Sequence, residues 1–187
     1  MIENFLRRPR GVAETIADAV RVAGALSILI AAIWWSGTDA GILALALPAL
    51  LVPRFVGVRP WFDITYGIAV LVASWSNVLD LYRSIAGWDL VVHTVCTGLI
   101  AAIAYLAFVR WGVTPPPPAA RPAAVIFTAS LGLAASAVWE MLEWIGKTFV
   151  TAEIFVTYTD TIGDMAVGGL GSVAAGFLVA RVPLLRE

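Results

Sequence analysis

A chain of 187 residues that is 60% hydrophobic and only 13% charged lies outside the range of soluble domains, which carry about 25% charged residues. Its net charge of −1 leaves no basic footprint for nucleic acid, and its single cysteine, Cys96, excludes an internal disulfide. With a mean hydropathy of +0.90, the composition specifies one integral membrane domain.

The first ten residues place Ile2, Phe5 and Leu6 beside Arg7, Arg8 and Arg10. That pattern suits a short segment lying on anionic lipid, although a disordered basic tail has the same composition. No short apolar core ends in a small-residue cleavage site, so this end reads as an uncleaved cytoplasmic terminus. A spanning helix needs about 20 mostly apolar residues. Six stretches qualify: 18–36, 39–57, 61–82, 88–111, 122–146 and 161–181. The second is interrupted by Pro48 and Pro53, which predicts a kinked span, with a re-entrant segment as the alternative. Asp39 is the expected cap of that span. Residues 114–122 form a polyproline spacer, and 148–159 read as an extended loop able to cover whatever lies beneath it.

The expected fold is all-α: a polytopic bundle of six spans in one domain. Placing the N-terminus inside puts ten of the twelve Lys and Arg residues on the cytoplasmic side, with only Arg83 and Lys147 outside. The positive-inside rule then predicts that both termini are cytoplasmic.

Against this apolar background the acidic residues stand out. Glu140 and Glu143 share one helical face within Val138-Trp139-Glu140-Met141-Leu142-Glu143-Trp144, near the expected end of the fifth span. There, burial in lipid and the helix dipole both oppose negative charge. Trp88-Asp89 opens the fourth span and puts Asp89 one turn from His93, the only histidine. Asp160 and Asp164 open the sixth, and Asp80 closes the third. Stepping by four residues along the last three spans, ionisable groups cap stripes of small or weakly polar residues: Thr97 and Ala101 below His93, Ser136, Gly132 and Thr128 below Glu140, Gly168, Ser172 and Gly176 below Asp164. Small residues mark close helix contacts in membranes, so these acids are expected to point into the bundle and to converge at its outer end. Simpler roles exist for several of them: Thr161 and Asp164 fit a capping box, Glu143 can pair with Lys147, and Asp80 with Arg83. Glu140 and His93 have no comparable role.

The motifs resemble a family. A Leu-Val-Pro-Arg segment is followed by Trp-Asp-x-x-x-His opening one span and Trp-Glu-x-x-Glu-Trp closing another. Asp-Thr-x-x-Asp then opens a final Gly-rich span. This order is similar to the YjdF-type family of small bacterial inner-membrane proteins, over roughly residues 50–180. One departure is Val167-Gly168, where a polar residue would be expected after Asp164. The resemblance implies a multi-pass helical bundle in the bacterial cytoplasmic membrane and no settled activity.

Six carboxylates and one histidine with only two cations require protonation or a bound cation. Carboxylates with one imidazole suit a divalent metal, Mg²⁺, Mn²⁺, Ca²⁺ or Zn²⁺. The expected ligands are His93, Glu140, Asp160, Asp164 and Asp89, with Glu143 as general base and Asp80 lining the site. Such an ion could polarise a phosphoryl or ester oxygen of a lipid headgroup in a hydrolase or transferase. Proton or cation transport is the alternative, and an accessory or structural subunit the third reading. Membrane lipids are the expected partners, and the small-residue faces would also serve a homo-oligomer.

Overall fold

A computed structural model of the chain describes residues 2–117 and 121–186. Its helices are α1 (Ile2–Leu6), α2 (Val12–Trp34), α3 (Gly37–Val56), α4 (Pro60–Val78), α5 (Leu81–Ser84), α6 (Trp88–Arg110), α7 (Arg121–Phe149) and α8 (Tyr158–Val179). No strand occurs among the described residues beyond an isolated bridge between Val58 and Leu185. Part of the polyproline spacer, 118–120, lies outside the described residues.

Five helices, α2, α3, α6, α7 and α8, are long and apolar enough to cross a membrane. The expected third span corresponds to α4, a 19-residue helix that contains Asp63 and Asn77 and falls short of that apolarity. It also ends earlier than expected. Asp80 adopts φ 55°, a left-handed conformation that breaks the helix, and the chain restarts as the single turn α5.

The chain divides into two compact units, residues 1–88 with 184–187, and 89–183. In the first, α2 begins six residues before the expected span because its polar start is paired. Glu14 accepts from Arg7 Nη2 (2.6 Å), the Arg10 amide (2.6 Å) and Arg186 Nη1 (2.9 Å). Asp18 receives Arg21 (2.9 Å) and Arg54 (3.2 Å), and Arg21 also binds Asp63 at 2.5 Å. Arg54 donates further to the Phe5 and Arg7 carbonyls, and Phe5 stacks on Phe55 with ring centroids 4.3 Å apart. The N-terminal segment is therefore held on the helices by its backbone carbonyls, by the Arg7 side chain on Glu14 and by one aromatic stack. The tail returns too: the Arg59 amide donates to Leu184 O (2.7 Å) and the Arg186 amide to Gly57 O (2.9 Å). Four of the arginines counted above toward the inside charge, Arg7, Arg21, Arg54 and Arg186, are thus specific ion-pair partners.

Pro48 and Pro53 sit inside α3, which remains one helix of 20 residues. Its cap is Ser36 rather than Asp39. Ser36 Oγ accepts from the Asp39 amide while the Asp39 carboxylate accepts from the Ser36 amide, a reciprocal capping box.

The second unit is built from α6, α7 and α8. Its register can be read from the glycines, because a Cβ placed on each would collide with a specific neighbour. At Gly98 it would lie 2.7 Å from Gly171 O, and at Gly168 3.1 Å from Thr97 Oγ1 and 3.2 Å from Ser136 Oγ. At Gly132 it would strike Ser172 and approach Ala101 Cβ at 3.1 Å, and at Gly176 it would meet Val125 Cα at 2.8 Å. These pairings run α6 parallel to α8 and α7 antiparallel to both. The three small-residue stripes expected from four-residue spacing thus meet one another, layer by layer.

Candidate functional site

One layer above Thr97, Ser136 and Gly168 stand His93, Glu140 and Asp164, each four residues away on its own helix, earlier on α6 and α8 and later on α7. Asp89 lies one turn beyond His93, with Oδ1 3.3 Å from His93 Nε2. Asp89, His93 and Asp164 each offer a ligand atom within 4.8 Å of the other two. That separation is about the reach of one ion with ligands at roughly 2.0–2.4 Å.

Burial sharpens the picture. Asp164 is 2% exposed and Glu140 5%. Both oxygens of Glu140 and Oδ1 of Asp164 are buried without a hydrogen-bond partner. The Thr161 hydroxyl is close enough to act on the Glu140 carboxyl, but not in hydrogen-bonding geometry. A buried carboxylate without a donor or counter-charge is strongly disfavoured, and native proteins leave few such groups unless something else satisfies them. Ser136 Oγ, directly below, is also buried and unpartnered.

The remaining acids surround the same imidazole. Glu143, Asp89 and Asp164 act electrostatically on His93, and Asp160 interacts with both His93 and Asp89. Glu143 is half-buried and accepts from Trp139 Nε1 at 2.9 Å. Its expected partner Lys147 donates elsewhere, to Val156 O at 2.8 Å, tying the 150–157 loop to α7. Asp80 lies in the other compact unit, exposed, with Oδ1 3.9 Å from Arg83 Nε.

Two local expectations are corrected. The cap of α8 is Thr157, whose side chain accepts from the Asp160 amide at 3.2 Å. Asp164 is therefore well inside the helix, and capping does not account for it. Likewise α7 continues to Phe149, so Glu140 is more than two turns from the helix end. The dipole acts mainly within the terminal turn, so the helix end is not what makes this an unusual place for a carboxylate; its burial is.

Helical spans with a carboxylate and imidazole cluster buried among three of them define a multi-pass membrane protein with a polar site. Within that class, the chain belongs to the family of predicted membrane proteins designated DUF2238, whose model matches residues 14–183. This is the YjdF-type family that its motifs resemble. No curated protein and no solved structure matches the chain.

Proposed function

We propose that Asp89, His93 and Asp164 bind a divalent metal ion, with Glu140 and Asp160 completing or balancing its shell. The observation that carries this reading is the pair of buried carboxyls, Glu140 and Asp164: both Glu140 oxygens and Oδ1 of Asp164 have no hydrogen-bond partner, beside a geometrically matched ligand triad. A cation supplies the missing partner to several oxygens at once. One nitrogen among oxygens suits Mn²⁺ or Zn²⁺ as well as Mg²⁺ or Ca²⁺. In an enzyme, the ion would polarise a phosphoryl or ester oxygen of a lipid headgroup. Glu143, held by Trp139 at the edge of the cluster, is then the group placed to take a proton.

In this reading the chain crosses the bacterial inner membrane six times. α4 is the sixth crossing, since its buried Asp63 is neutralised by Arg21. The arginine distribution puts both termini in the cytoplasm and the acid cluster at the extracytoplasmic face. In a Cys96→Ala background, a cysteine introduced in 151–157 is expected to react with an impermeant reagent from outside. One in 115–117 is expected to stay protected. The opposite pattern would move the site to the cytoplasmic face.

Metal binding has a direct readout. An ion that binds only the folded state stabilises it by about 2.7 kcal/mol at one hundred times its Kd. Purified protein should therefore contain metal, melt several degrees higher with excess ion and lose that gain to a chelator. Glu140→Gln keeps the volume and should abolish much of the shift. His93→Gln should weaken the response to Zn²⁺ more than to Mg²⁺. Metal-free protein with no ion-dependent shift would sink the reading.

Cation passage is a second reading, favoured by one observation. Ser136 Oγ and Thr128 Oγ1, buried and unpartnered on the Glu140 face of α7, extend polar atoms below the site. Ion flux into proteoliposomes separates this from a static metal centre.

A further inference from the structure

A second feature of the same unit lies at the other end of α7 and α8. Between the start of α7 and the end of α8 runs an open groove of about 470 Å³, lined by Val125, Ile126, Phe177 and Ala180, with Arg121 and Arg181 at its mouth. The groove exists because the helices meet there through small residues. Gly176 lets the Val125 backbone approach and Ala180 is buried, so the floor is backbone and methyl groups. The larger side chains, Ile126 and Phe177, are left as exposed walls. Both arginines are exposed. Arg181 is nonetheless held in place: its guanidinium lies over the Phe177 ring, 5.2 Å from the centroid, and Nη1 donates to Phe177 O at 3.3 Å.

We propose that this groove is a binding site for one anionic phospholipid. The depth profile of the lining matches such a molecule. Arg121 and Arg181 each lie four residues, or roughly 6 Å of helix rise, nearer the helix end than Val125 and Phe177, and the Arg181 guanidinium folds back over the Phe177 wall. A phosphodiester set between the arginines therefore carries its acyl chain straight onto Val125, Ile126 and Phe177. Guanidinium pairs phosphate in two-pronged fashion, and basic pockets between helix ends are the usual seats of anionic headgroups. A zwitterionic lipid offers the same chains but brings its own cation to the arginines. Free phosphate offers the charge and no chain. The site does not depend on the metal centre, which shares none of these residues.

The test uses the full-length protein in mild detergent, delipidated, with melting temperature and native mass spectrometry as readouts. Phosphatidylglycerol should raise the melting temperature saturably and remain bound as a single adduct. Phosphatidylcholine and inorganic phosphate should do neither. Each exposed arginine near a lipid surface contributes roughly a fivefold change in affinity. Arg121→Gln or Arg181→Gln should thus weaken phosphatidylglycerol binding about fivefold, and the double variant about 25-fold. Val125→Trp, which fills the groove and keeps both charges, should also displace the adduct. Equal stabilisation by phosphatidylcholine would reduce the groove to ordinary solvation by lipid. An equal response to inorganic phosphate would make it a free-anion site, and undiminished binding by the double variant would place the lipid elsewhere. Each of these outcomes overturns the proposal. If a variant fails to fold, competition between the two lipids on the parent protein decides the same question.

Discussion

Gly171→Ala is expected to destabilise the protein severely, although alanine is the better helix former. The propensity gain is about 1 kcal/mol. Against it stands a backbone collision, because a Cβ at Gly171 would fall on the Thr94 carbonyl oxygen and close to Thr94 Cα. A flexible side chain could turn away, but a carbonyl within α6 cannot without breaking its own hydrogen bond. Overpacking of this kind costs about 1–3 kcal/mol and occasionally more, and here the rigid neighbour puts it at the upper end. The helices must separate, and with them Asp164 from Asp89 and His93. The control is Gly41→Ala in α3, where a Cβ meets nothing within 4 Å, so a gain of up to about 1 kcal/mol is expected. Thermal melting in detergent distinguishes the two. Equal melting of Gly171→Ala and the parent would mean that α6 and α8 do not approach at this point.

Glu14→Ala should have the second largest effect. The carboxylate receives Arg7, Arg186 and the Arg10 amide, and its removal takes this ion-pair partner from two guanidinium groups. Breaking a buried pair costs about 3–5 kcal/mol. The arginines here keep 25% and 18% of their side-chain surface exposed, so water recovers part of that loss and about 2–3 kcal/mol is the reasonable figure. The effect should appear first as release of both chain ends, read as faster proteolysis near residues 2–10 and 184–186. Glu14→Ala and Arg186→Ala should be strongly non-additive, since each removes the same contact. A variant that melts within a degree of the parent and resists protease would show that the pairs contribute nothing.

The legible part of the fold was its periodicity. Hydropathy located the long helices, five of them apolar enough to span, and four-residue spacing found the buried stripes, because both are local properties of a helix. The misses have local causes too. The expected first span begins at 18 and α2 at Val12, because hydropathy treats Glu14 as a polar flank when it is paired inside the fold. Asp39 was read as a cap when Ser36 holds that place. The capping box that offered Asp164 a simpler role does not form, because Thr157 holds the cap.

The site was legible as a set of residue types at one end of several helices, which is what unusual intramembrane acids announce. Sequence determined that much by itself: an all-helical membrane chain, acids and one histidine above stripes of small residues. It could not determine which acids would lie together. Hydrophobicity drives helices into the bilayer but gives little preference between one helix neighbour and another, since lipid is as apolar as a side chain. Register is instead chosen by close backbone contact, here Gly98 and Gly171 against the facing helix and Gly132 over Ser172. That register brings Asp164 to Asp89 and His93, leaves the Glu140 oxygens buried without partners, and opens a groove between Arg121 and Arg181. Only the tertiary structure decides these, because each depends on an offset of a few ångströms between helices that no single helix encodes.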